Sequence, residues 1–212
     1  MTAAGPVARA AELAALGHHA PLDGAATDRV LAALGNDDDP RVRAAALGAL
    51  ARGAPGHACE PWLHALDDPT PVVRRRAAEL APTLPADARI APALVDAVDD
   101  SDVTVVEAAA WALGELGDTA RAAGAVPALT NVVRAHDDAL AREAAVAALG
   151  ALGDDEALPA ILEACHDKPA VRRRAVLALA PVEGAEVDAA IDAALTDRDW
   201  QVRQAAEDLR GD

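Results

Sequence analysis

The sequence predicts an all-α solenoid, and three observations carry that expectation. A phrase returns about every thirty residues: Asp, Pro, any residue, Val, Arg, two residues, Ala. It is clearest at Asp39-Pro40-Arg41-Val42-Arg43 with Ala46 and recurs at Val171-Arg172 with Ala175. Its valine position falls at Val42, Val73, Val105, Ala141, Val171 and Val202, spaced 31, 32, 36, 30 and 31 residues apart. A fixed period of this length signals stacked units that bury their apolar faces only against neighbours. Within each unit the apolar residues keep helical spacing, as in Val42, Ala46 and Leu50 or Val105, Ala109 and Leu113. Tyr and Phe are absent and the aromatics are Trp62, Trp111 and Trp200, so the core must be Ala, Leu and Val. Such a core suits small, closely packed helices better than a β-sandwich.

Taken in order, each unit reads as two antiparallel helices. The first starts after an N-cap position held by Asp39, Thr70, Asp102, Asp138, Lys168 and Asp199, five of which can accept a free backbone N–H. Pro40, Pro71 and Pro169 follow at the position where a missing N–H costs nothing. Gly53, Gly117 and Gly153, or Pro82 and Pro181, supply the stops. The second helix is short and begins around a proline, as at Pro92 and Pro159. Aligned across units it carries an apolar column of Val30, Trp62, Leu94, Leu129, Ile161 and Ile191. A second column one turn on holds Leu34, Leu66, Val98, Val133, Cys165 and Leu195. Between them runs a mostly polar column of Ala32, His64, Asp96, Asn131, Glu163 and Ala193, which separates a buried from an exposed face. The units fall at about 6–36, 39–68, 70–100, 102–137, 138–167 and 168–198, with a final helix at 199–210, in a single domain spanning 1–212.

With this pattern recurring six times, the chain resembles the HEAT-repeat superfamily over about residues 6–210. The likeness is to the short bacterial and archaeal repeats named after the phycobilisome lyases. The resemblance implies a right-handed α-solenoid of about six HEAT-like helix pairs plus a terminal helix, with the second helices on the inner face. It also implies a structural role for Arg43, Arg74, Arg142, Arg172 and Arg203, each pairing with the cap aspartate of a neighbouring repeat. A cation in a first helical turn otherwise opposes the helix dipole. The fourth repeat departs from the pattern: Val106 stands where Arg belongs, and extra residues fall at Asp118–Ala123 and near Ala135-His136. Insertions in solenoids map to loops. Two triplets, Arg74-Arg75-Arg76 and Arg172-Arg173-Arg174, exceed what such a ladder requires, and their extra members read as solvated edge residues.

The formal charge of −16 argues against a sequence-independent grip on nucleic acid or an anionic membrane. All but one of the 19 basic residues are arginine, the exception being Lys168. No run reaches the ~18 apolar residues of a membrane span, and the first residues lack a basic, apolar leader, so a cytoplasmic location is expected. Reactive constellations are wanting. Cys59 and Cys165 are far apart and align with apolar positions, which predicts burial. Ser101 is the single serine, and no Gly-rich phosphate loop is present. The histidines His18, His19, His57, His64, His136 and His166 follow no metal-ligand spacing. No His-Glu dipeptide of the kind that holds iron in HEAT-like hydroxylases occurs. The His18-His19 pair reads as the end of the first helix. No catalytic residue, metal site or cofactor is therefore expected.

What remains is the exposed side of the second helices. His64, Asp67, Asp96, Asp99, Asn131, Arg134, Glu163 and His166 form a polar, net negative row there. The reading is a non-catalytic protein-interaction or scaffold module binding a protein partner, favoured to be basic, along that face. An accessory subunit of a lyase-like protein-modification enzyme is the alternative that the resemblance implies. A HEAT-like DNA glycosylase comes third, opposed by the acidity. Trp62 reads as core. Trp111, aligned with Gly48, Glu79 and Ala147, is a further binding candidate.

Overall fold

The computed structural model describes residues 5–18 and 20–211. Its helices run α1 (Pro6–Ala15) and α2 (Gly24–Asn36), α3 (Pro40–Gly53) and α4 (Cys59–Leu66), α5 (Pro71–Leu80) and α6 (Ile90–Ala97). They continue as α7 (Val103–Leu116), α8 (Asp118–Ala122) and α9 (Ala125–Ala135), then α10 (Ala139–Leu152) and α11 (Leu158–Ala164). The series closes with α12 (Pro169–Ala178) and α13 (Ala185–Ala194), then α14 (Trp200–Arg210). Among the described residues there is no strand, and six helix pairs followed by a terminal helix make an all-α solenoid. The first helices α1, α3, α5, α7, α10, α12 and α14 pack side by side, each against the next, and each second helix lies chiefly against the first helix of the following repeat: α2 on α3, α4 on α5, α6 on α7, α9 on α10, α11 on α12 and α13 on α14.

Local chemistry accounts for these boundaries. The carboxylates of Asp39, Asp102, Asp138 and Asp199 each accept the amide two residues on, and α3, α5 and α12 open with proline. Thr70 departs from its expected cap role: its hydroxyl makes no cap bond and accepts instead from Arg43 at 3.0 Å. The expected apolar positions are core, for Val42, Ala46 and Leu50, Val105, Ala109 and Leu113, and Val171, Ala175 and Leu179 are all at most 1% exposed. Trp62 is fully buried, and its indole N–H donates to the Ala77 carbonyl at 2.6 Å, tying α4 to α5. Small residues bring the first helices close. A β-carbon added at Gly150 of α10 would lie 2.7 Å from that of Ala178 on α12.

The arginine column clamps one repeat to the next. Arg43 donates Nε and Nη2 to both oxygens of Asp68, at 2.8 Å each, and Nη1 to the Asp37 carbonyl at 2.9 Å. Arg74 repeats this with Asp100 and the Asp68 carbonyl, Arg142 with Asp167 and the His136 carbonyl, and Arg172 with Asp197 and the Asp167 carbonyl. Arg203 donates to the Asp197 carbonyl at 2.7 Å. The partners differ from the cap aspartates that the resemblance implied. They stand two positions ahead of the cap, or one ahead at Lys168; the cap carboxylates of Asp102 and Asp199 are already engaged by their own helices, and Thr70 and Lys168 have no carboxylate to offer. These aspartates also accept the N–H of the cap residue, as Asp68 does from Thr70 at 2.9 Å and Asp197 from Asp199 at 2.8 Å. Arg9, outside the expected column, holds Asp37 in the same two-pronged way at 3.0 and 2.9 Å.

The break at repeat 4 is double. Val106 is fully buried where the arginine would stand, and His136 occupies the position of the matching aspartate. His136 keeps the local part of the role, its Nδ1 accepting the Asp138 N–H at 3.0 Å. The inserted segment is not the expected loop but the short helix α8, with Ala120 buried beneath it. Arg121 ties α8 down by donating to Asp118 and to the Leu152 carbonyl at the end of α10. The first helix ends at Ala15, short of His18, and His19 lies outside the described residues.

Candidate functional site

The short second helices present one face outward because their two apolar columns turn inward. Val30, Trp62, Leu94, Leu129, Ile161 and Ile191 are all buried, while the polar column beside them is exposed at every repeat. His64 lies on α4 with Asp67 just after it, Asp96 on α6 with Asp99 just after it, and Asn131 and Arg134 on α9. Glu163 lies on α11 and His166 just after it, and all eight predicted residues are exposed.

The structure brings only two of them into direct contact. Arg134 donates Nε and Nη2 to both oxygens of Glu163, at 2.8 Å each, across the α9–α11 boundary. The Arg134 hydrogen bond holds the Glu163 carboxyl below its ordinary range, so its charge is matched by a neighbour. His64 approaches Glu60 at 4.0 Å. Asp67, Asp96 and Asp99 make no ion pair or side-chain hydrogen bond among the described residues, so the unmatched negative charge sits on repeats 2 and 3.

A cleft of about 930 Å³ opens between α2 and α4 and includes His64 and Asp67. Asn36, Asp38 and Glu60 also line it. Sequence reasoning passed over these three because they fall at helix ends, outside the aligned column. The His166 end lines a separate cleft of about 500 Å³ with Glu186 and Asp197.

Cys165 is mostly buried, and burial pushes its thiol up to about 11. Cys59 is half-buried, donates to Asp87 at 3.1 Å and accepts from Arg89 at 3.3 Å; burial first, then Asp87, raises its thiol pKa too. Thiols shifted this way are poor nucleophiles. Among the described residues no three His, Cys, Asp or Glu side chains gather as metal ligands, and no helix is long and apolar enough to cross a membrane. The arginine triplets are partly spent inside the fold, since Arg75 and Arg76 both turn to Glu79, at 2.9 and 3.1 Å.

Comparison with known proteins sets this geometry in context. A family model described as HEAT repeats matches residues 59–137 and 126–210. No curated protein sequence matches the chain. Among solved structures, YibA of E. coli aligns with a TM-score of 0.68 at 14% identity, covering 97% of this chain and 74% of that one. A designed armadillo repeat protein in complex with the peptide (KR)4 aligns with a TM-score of 0.62 at 17% identity, covering 87% and 98%. The complex of CpcE and CpcF of phycocyanin lyase from Nostoc sp. PCC7120 aligns with a TM-score of 0.56 at 20% identity, covering 99% and 91%. These likenesses are in fold.

Proposed function

Because the chain belongs to the HEAT repeats, we propose that it is a non-catalytic protein-interaction module of the cytoplasm. It holds a basic segment of a protein partner against its second helices. The observation that carries this reading is the set of exposed carboxylates on two consecutive repeats, Asp67, Asp96 and Asp99, that no cation among the described residues engages. On the same face Glu163 is matched by Arg134, so the charge left open on repeats 2 and 3 is available to a partner. Partner contacts of this kind raise association rate and selectivity more than affinity. The fold likeness to a designed repeat protein that carries a (KR)4 peptide supports the same choice of ligand.

The test is titration of a (Lys-Arg)4 peptide into the wild-type protein and into Asp67→Asn/Asp96→Asn/Asp99→Asn. Each exposed pair contributes roughly 0.2–1 kcal/mol, so the triple variant should bind about tenfold more weakly, and wild-type binding should fall as salt rises. Equal affinity of the two proteins would refute the assignment. A second reading, an accessory subunit of a protein-modifying lyase, draws on the likeness to CpcE and CpcF over nearly the whole chain. It predicts an obligate second repeat protein, which native co-purification would reveal as a stoichiometric complex.

A further inference from the structure

A second surface lies on the first helices, around Trp111. This indole is 48% exposed on α7, and Leu140 of α10, 39% exposed, lines the same groove. The groove encloses about 260 Å³ over a floor of Gly114, Ala147, Ala148 and Ala151. Single exposed apolar residues are ordinary on a protein surface, but two sharing one groove form a patch. Glu107 and Glu115 stand four residues before and after Trp111, on the same stripe of α7, and both line the groove. Among the described residues neither makes an ion pair or a side-chain hydrogen bond. Across the groove Glu143 reaches Arg174 only at 3.6 Å.

The fold itself shows what such a groove accepts. Trp111 occupies the repeat position of Gly48, and there the Arg76 guanidinium of the next first helix lies over the groove. A β-carbon on Gly48 would sit 3.1 Å from Arg76 Nη2. Arg76 meanwhile pairs with Glu79 at 3.1 Å. Aligned by repeat, the residue of α10 equivalent to Arg76 is Ala144, so α10 sends no arginine over Trp111; the one arginine lining the groove, Arg174 of α12, faces Glu143 instead. It has gained instead an aromatic face and two unpaired carboxylates.

We propose that this groove receives an arginine side chain from a basic segment of a partner protein. The guanidinium stacks on Trp111 and pairs with Glu107 or Glu115, while its aliphatic stem covers Leu140 and the alanine floor. Arginine suits the site better than lysine because its planar, weakly hydrated head can stack on indole and bond carboxylate together.

The experiment uses the protein already carrying Asp67→Asn/Asp96→Asn/Asp99→Asn, so that the second-helix face does not contribute and the two readings fail separately. A (Gly-Arg)4 peptide should shift the Trp111 indole N–H resonance. Trp111→Ala, and separately Glu107→Gln/Glu115→Gln, should weaken binding at least about fivefold. A (Gly-Lys)4 peptide should bind more weakly than its arginine counterpart. Ala144→Arg, which places in α10 the side chain that α5 carries, should block the peptide and leave the helical circular dichroism unchanged. If that variant does not fold, the Trp111 and Glu107/Glu115 variants decide the matter alone. An unmoved Trp111 resonance, or affinity indifferent to these changes, would overturn the proposal. A concentration-dependent dimer lost in Trp111→Ala would also overturn it, giving the groove to a second copy of the chain.

Discussion

Asp167 shows how much one side chain carries in this fold. Its carboxylate takes both prongs of Arg142, at 2.6 and 2.8 Å, as well as the Lys168 amide, while its carbonyl takes Arg172. Both ionic partners are largely buried, at 13% and 19% exposure, so removing one leaves the other short of bonds it cannot recover from water. Arg142→Ala should therefore cost about 1–3 kcal/mol, read as a melting temperature roughly 3–10 °C lower at neutral pH. The hydrogen bond from Arg142 holds the Asp167 pKa below its ordinary value. A depressed carboxylate contributes stability that is fully present above its unfolded pKa of about 4 and is lost as pH falls through the folded value. The deficit of Arg142→Ala should accordingly shrink in acid below about pH 4, when measured by urea unfolding across pH. A deficit that persists unchanged into strong acid would locate the role of Arg142 in packing.

At the scale of the helix, small residues decide how closely neighbours stack. Gly150 faces Ala178 so tightly that an added methyl would fall 2.7 Å from its β-carbon and 3.0 Å from its α-carbon. Gly150→Ala gains helix propensity but must push α10 and α12 apart, and overpacking costs about 1–3 kcal/mol. Gly35, near the end of α2, meets nothing within 4 Å, so Gly35→Ala should instead stabilise by about 0.5–1 kcal/mol. Opposite shifts in melting temperature for the two changes would support this account; equal shifts would show that propensity alone governs. The same scale explains α8. The segment inserted after Gly117 forms a helical turn because Ala120 finds a buried seat and Arg121 an acceptor on α10.

Over the whole molecule, the ladder and the core are interrupted at different places. The arginine clamps stop between α7 and α10, yet those two helices share the most extensive contact in the fold, so packing bridges what charge does not. The apolar core divides earlier, within α3: Leu13, Val30, Val42, Ala46, Ala49, Leu50 and Ala58 form a small cluster apart from the one that runs on to Ala206. In a stacked array stability is close to a sum of unit and interface terms, so the unit with the least burial opens first. α1 buries one side chain, Leu13, whereas α7 buries seven. Amide hydrogen exchange should therefore be fastest in α1 and α2 and slowest in α7 and α10. Uniform protection along the chain would mean a single cooperative unit.

Most of this architecture was legible in the sequence by itself. Period, helix pairing, caps and the buried and exposed columns depend on residues within a turn or two of each other, and the repeat prints each rule six times over. The aspartates ahead of the caps, and Arg9 at the head of the column, carried a periodic signal that could have been read. The tertiary structure decided the rest, because it depends on what comes across from the next repeat, some 25–31 residues away. Only there does Arg134 meet Glu163, removing one carboxylate from the open face, and only there does the inserted segment find its seat. The groove beside Trp111 is open for the same reason. Ala144 stands where the neighbouring helix would have had to supply an arginine, and no local spacing within α7 reveals that.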